Sequence, residues 1–123
     1  MAVPDLWAAW TTPEGVASFW SEEADVAPAV GGPYVLGWPS RGWVLSGVVL
    51  AVDPGRSITF TWAWDHEPDR PERTVTLSMD STTLGSRLVV VQGPYGEGPD
   101  EAEDRAGHEA GWRWFADRLR ARP

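Results

Sequence analysis

The last stretch of the chain constrains the fold more than any other. From Asp100 to Arg122, the residues His108, Trp112, Phe115, Ala116 and Leu119 recur at intervals of three and four. That is the period of one helical face, so an amphipathic helix is expected there. Acidic Asp100, Glu101, Glu103 and Asp104 crowd its first turns and Arg118, Arg120 and Arg122 its last, the order that complements the helix dipole. Trp114 falls off the stripe and is expected at an edge or interface. Everything upstream reads as a sheet built to hold this helix.

A chain of 123 residues fits one domain, residues 1–123, with a single core. It has no cysteine, which excludes a disulfide framework, a thiolate nucleophile and a Cys-based zinc site. Its hydrophobic runs are short and broken, and its start lacks the basic-then-apolar pattern of a signal peptide. Neither a membrane partner nor secretion is expected, and a cytoplasmic protein is the default. A net charge of -8 argues against a nucleic-acid partner, which needs a basic face to displace counterions from phosphate. The nine tryptophans imply either a bulky aromatic core or an aromatic-lined cavity, because indoles are large and rarely fully buried.

In chain order, Pro4 to Trp10 is expected as a short helix, and Pro13 to Trp20 as a second one capped by Thr12. The second helix carries Glu14 and no basic residue, so the pair does not read DNA. Strands are then expected at Asp25 to Val30, Tyr34 to Trp38, Trp43 to Val52, Ser57 to Trp64, Arg73 to Asp80 and Arg87 to Gln92. Turns at Gly31-Gly32-Pro33, Asp53-Pro54-Gly55 and Leu84-Gly85 separate several of them. A phosphate cradle at Gly31-Gly32 is disfavoured, since no helix start or Lys follows. Ile58, Phe60, Trp62 and Trp64 alternate with Ser57, Thr59, Thr61 and Ala63, the mark of a strand with one apolar face. Val75, Leu77 and Met79 do the same on the next. Strands joined by short turns make an antiparallel meander. Gly93 to Pro99 is a loop placed where a lid or cavity mouth would lie.

Leu6-Trp7-Ala8-Ala9-Trp10-Thr11-Thr12-Pro13-Glu14-Gly15, Gly31-Gly32-Pro33-Tyr34, Val52-Asp53-Pro54, Phe60-Thr61-Trp62, Gly85-Ser86-Arg87-Leu88 and Gly111-Trp112 resemble, in order, the signatures of the heat-shock protein 90 ATPase activator homologue family. That family lies in the START-like, SRPBCC or Bet v-type superfamily, and the resemblance runs from Pro4 to about Leu119. It implies an α+β helix-grip fold: a curved antiparallel sheet wrapped around a long C-terminal helix, with two short helices near the N-terminus. Members usually open with a strand before the segment matching Val3-Pro4. Here that first strand is expected to be missing, which leaves a sheet edge to be managed. The resemblance carries over no catalytic residue, cofactor or metal. The superfamily includes small-molecule carriers, lipid-transfer domains, cyclases and dehydratases, and a co-chaperone domain, and many bacterial members have no assigned activity; fold alone does not choose among them.

Among titratable groups, His108 is the better of the two histidines, since its place on the stripe aims it at the concave face of the sheet. It is read either as a polar anchor or acid/base for a ligand, or as a hydrogen-bonded histidine near the helix start. His66 lies in Asp65-His66-Glu67-Pro68-Asp69, whose spacing matches no metal framework and reads as a solvated hairpin tip. The expected function is binding of a hydrophobic or aromatic small molecule between sheet and helix. The expected ligand-binding residues are Trp10, Trp20, Phe60, Trp62, Trp64, His108, Trp112 and Phe115. The alternatives are a cyclase- or hydrolase-type enzyme using His108 as acid or base, and a protein-interaction or co-chaperone-like module. With the first strand missing, Arg87, Val89 and Val91 mark an open, β-branched strand edge, and a homodimer through that edge is expected.

Overall fold

Side-chain alternation decides which residues face the core. In the computed structural model, which describes residues 1–121, it places Ile58, Phe60, Val75 and Leu77 among the fully buried side chains. Two short helices come first, α1 (Val3–Thr11) and α2 (Pro13–Ala17). Both begin with a proline in the first turn, where no backbone donor is needed. Thr12 caps α2 as its spacing predicts, its Oγ1 accepting from Gly15 N at 3.0 Å. The second helix is shorter than expected: after Ala17 the chain turns, which brings Phe19 and Trp20 inward beside Trp10.

Seven strands follow: β1 (Glu23–Val26), β2 (Tyr34–Trp38), β3 (Trp43–Ser46), β4 (Val49–Asp53), β5 (Ser57–Trp64), β6 (Arg73–Thr82) and β7 (Gly85–Gly93). They form one antiparallel sheet ordered β1-β2-β3-β5-β6-β7, with β4 also paired to β5. Four of the six expected strands have other bounds: β6 runs on to Thr82 rather than Asp80, β7 spans Gly85–Gly93 rather than Arg87 to Gln92, and the remaining two differ more. The first strand ends at Val26 rather than Val30, and Val30 lies 69% exposed in the turn that follows. The single strand expected over Trp43 to Val52 is broken at Gly47, where a Cβ would sit 2.1 Å from the Thr61 carbonyl oxygen. Both halves still pair with β5, Leu45 opposite Trp64 and Val49 opposite Phe60. A close approach of this kind bends a strand and requires glycine.

The chain closes with α3 (Pro99–Ala121). The end expected at Arg122 lies outside the described residues. Among its described side chains Trp112 and Leu119 are buried, while His108, Phe115 and Ala116 are half-buried. Trp114 is 55% exposed, off the stripe as the spacing requires, with the Arg118 guanidinium 4.6 Å from its ring. In β7, Val89 and Val91 are exposed, whereas Leu88 and Val90 turn toward the core. Among the described residues β7 pairs only with β6. Met1 reaches the start of β7, where the Ser86 hydroxyl donates to its carbonyl oxygen at 2.7 Å.

Candidate functional site

The aromatic residues of α1, the turn after α2, β5 and α3 pack first against one another. Trp10 lies edge-on to Phe19 and Trp20, and the Trp112 ring is 5.6, 5.2 and 5.4 Å from those of Trp10, Trp20 and Trp62. Trp20 also stacks on Trp62 and meets Phe115 at 5.1 Å. Phe60 stacks on Tyr34 at 3.8 Å, and the Tyr34 hydroxyl donates to the Trp10 carbonyl at 2.6 Å. Aromatic pairs of this geometry add to the area they bury. Trp10, Trp20 and Phe60 thus make a filled core directly behind the site. The indole nitrogens of Trp10, Trp20 and Trp62 are buried without a hydrogen-bond partner among the described residues.

Among the clefts that border α3, two lie between the helix and the sheet and share side chains. One, of about 410 Å³, lies toward the β5–β6 connection, with Trp43, Trp62, Trp64 and His66 on the sheet side and Gly107, His108, Gly111, Trp112 and Phe115 on the helix. The other, of about 760 Å³, lies toward β7, between Leu88, Val90, Val91 and Gln92 on one side and Arg105, His108, Trp112 and Ala116 on the other. His108 and Trp112 line both. Of the residues expected at the site, Trp62, Trp64, His108, Trp112 and Phe115 line the first cleft, whereas Trp10, Trp20 and Phe60 line neither. The packing preference of indole explains the difference: the three inner rings find aromatic partners before they find empty space.

The polar side chains around His108 form a connected set. Tyr95, on the loop after β7, places its hydroxyl 2.5 Å from His108 Nδ1, while His108 Nε2 lies 3.8 Å from Asp104 Oδ1. Burial pushes the His108 imidazole below its ordinary value, partly offset by the Asp104 carboxylate. Burial also raises the Tyr95 phenol. Beneath them Arg73 is 2% exposed. Its Nη1 donates to Pro94 O at 2.5 Å and to Glu101 Oε1 at 3.1 Å; its Nη2 donates to Glu101 Oε2 and, at 2.9 Å, to Asp104 Oδ2. The hydrogen bond from Arg73 holds Glu101 down at about 2, and the same bond raises Arg73. The guanidinium also lies 4.3 Å from the centroid of the Tyr95 ring. A buried cation with two carboxylates pins the first turns of α3 to β6.

Sequence reading passes over Tyr95, Asp104 and Arg73. For Arg73 a signal existed, because it shares strand parity with Val75, Leu77 and Met79 and therefore the inward face. Tyr95 carried none, since its position depends on a loop path. Among the described residues no group of three His, Asp or Glu side chains converges as a metal site. His66 instead stacks on Trp43, with ring centroids 5.3 Å apart.

An antiparallel sheet gripping a long C-terminal helix, with two short helices ahead of it, defines the START-like helix-grip class. The family model described as Activator of Hsp90 ATPase homolog 1-like protein matches residues 2–122, and the chain belongs to that family. Among solved structures, protein MLL2253 from Mesorhizobium loti is 30% identical with a TM-score of 0.82, over 96% of this chain and 85% of that one. The AHSA1 protein SPO3351 from Silicibacter pomeroyi is 26% identical with a TM-score of 0.72, over 98% of this chain and 89% of that one. DynU16, a protein in the dynemicin biosynthetic locus, shares the fold at 24% identity and a TM-score of 0.81; the match covers 97% of this chain and 42% of that one. No curated protein sequence matches. No helix among the described residues is long and apolar enough to cross a membrane.

Proposed function

We propose that this domain binds a small hydrophobic or aromatic molecule between its sheet and α3. The observation that carries the reading is the pair of clefts, about 410 and 760 Å³, that share the His108 and Trp112 side chains. Both volumes fall in the range of small-molecule sites. Gly107 and Gly111, one turn apart in α3, support the same reading. A Cβ at either would meet nothing within 4 Å, and each glycine costs a helix about 1 kcal/mol relative to alanine. The helix forgoes that stability where it borders the aromatic cleft. Trp62, Trp64, Trp112 and Phe115 would be the apolar walls and His108 the polar anchor. Titration with apolar aromatic compounds, followed by tryptophan emission and native mass spectrometry, tests the proposal. A saturable change with a bound mass is expected; a broad set of such compounds giving neither would overturn it.

A second reading, an enzyme of the cyclase or hydrolase kind, draws on the Tyr95–His108–Asp104 chain. An imidazole whose pKa is lowered by burial is a free base at neutral pH, the form a general base requires. Once a substrate is found, His108→Gln should lower kcat far more than it raises KM. A homodimer through β7 also belongs to the proposal. Val89 and Val91 are 40% and 63% exposed on a strand paired on one side, an arrangement that invites pairing with a second copy. Sedimentation of the protein and of Val90→Pro should give a dimer for the first and a monomer for the second. A monomeric parent protein, or a dimer surviving the proline, would end that idea.

A further inference from the structure

The two clefts carry opposite charge, and the larger one runs against the balance of the molecule. Around the β7-side cleft stand Arg87, Arg105 and Arg113 against the single carboxylate of Glu109, in a chain whose net charge is -8. These arginines are not equivalent. Arg87 is tied to Asp80 at 3.2 Å and Arg113 to Glu109 at 2.9 Å. Arg105 makes no ion pair among the described residues. The acids one turn to either side of it, Glu101 and Glu109, are engaged by Arg73 and Arg113.

Gln92, which lines the same cleft, adds a second unmatched donor. Its Oε1 accepts from Trp112 Nε1 at 2.7 Å, and since an indole nitrogen only donates, the amide oxygen must face it. Among the described residues the buried Gln92 amide nitrogen has no acceptor. The cleft therefore combines an apolar bed with a guanidinium outside any ion pair, and its wall holds an unpaired amide donor shielded from solvent.

We propose that the β7-side cleft takes an amphipathic organic acid, its apolar or aromatic body lying on Leu88, Val90, Trp112 and Ala116 and its carboxylate drawn to Arg105. The proposal rests on the ligand-binding reading above and names the chemical class for this cleft. A guanidinium pairs with a carboxylate through two parallel hydrogen bonds, giving orientation as well as attraction. A neutral alcohol of the same shape offers the guanidinium only an uncharged acceptor, and an ammonium meets the like charge of Arg105.

Calorimetric titration with 2-naphthoate, 2-naphthalenemethanol and 2-naphthylmethylammonium tests this. Naphthoate is expected to bind about tenfold more tightly than the alcohol, the ratio that a hydrogen bond to a charged group supports. The ammonium is expected to bind weakest. Arg105→Gln, an exposed position, should bring naphthoate to the level of the alcohol without changing the alcohol. Glu103→Gln, on the opposite flank of α3, should alter neither. An acid that binds no better than the alcohol, or an acid preference that survives Arg105→Gln, overturns the charge assignment while leaving the binding reading intact. Failure of all three compounds to bind overturns the acid assignment, and failure of the broad aromatic set as well overturns the ligand-binding reading.

Discussion

The two flanks of α3 border clefts of different chemistry, although the same His108 and Trp112 form the ridge between them. On the β5–β6 side, indoles of the sheet face Gly107 and Gly111, and Glu67, Glu103 and Asp104 outnumber Arg70. On the β7 side, aliphatic strand residues face Arg105, Glu109, Arg113 and Ala116, and cations outnumber acids. One helix therefore serves two surfaces because its period of 3.6 residues sends Arg105, Glu109 and Arg113 one way and Glu103, Gly107 and Gly111 the other. Chemistry around a shared ridge is set by its flanks, and each flank can be altered without touching the ridge.

The largest expected effect removes what the clefts share. Trp112→Ala should cost about 3 to 5 kcal/mol in denaturant unfolding, as for a buried aromatic cut to alanine, and should impair ligand binding on both sides. A loss well under about 1 kcal/mol would mean that α3 does not grip the sheet. Next is Arg73→Met, which leaves Glu101 and Asp104 without their cation. About 3 kcal/mol is expected, at the low end for a broken buried pair because water still reaches both acids. This variant also has a pH signature. The folded-state pKa of Glu101 is lowered from 4.5 to about 2, so its contribution is complete above 4.5 and lost as pH falls toward 2. Unfolding midpoints measured between those limits should fall less steeply in Arg73→Met than in the parent protein.

A smaller effect separates the flanks. Gly107→Ala should stabilise the protein by about 1 kcal/mol, since a better helix former enters open space. Gly111→Leu should close the indole-lined cleft while leaving naphthoate affinity on the β7 side unchanged. Parallel loss of both affinities would show one continuous cavity rather than two. The smallest effect tests the ridge itself. Burial lowers the folded-state pKa of His108 below the ordinary 6.5, opposed by Asp104 and Glu67 and aided by Arg73 and Arg70. As pH falls below 6.5 the unfolded chain takes up its proton first, so stability should decline there and be constant above. His108→Gln should flatten that limb; an unchanged slope would place the proton uptake elsewhere.

Much of this was legible in residue order alone. Period-two alternation assigned Ile58, Phe60 and Trp62 to one buried face, and the stripe His108, Trp112, Phe115 and Leu119 identified the gripping side of α3. Both patterns are local, repeated by the backbone at every step, and so are written directly into the sequence. What only the tertiary structure decided was which space stays empty. Trp10, Trp20 and Phe60 have the composition of a cavity wall, yet their rings fill the core because Phe19, Tyr34 and Trp112 arrive from other elements to meet them. Tyr95 reaches His108 only because its loop folds back over α3. Arg105 becomes the unpaired cation of a cleft only because Arg73 and Arg113, one of them from β6, occupy the neighbouring acids. Such outcomes depend on which groups compete for the same partner across the sheet, and that competition exists only once the chain is folded.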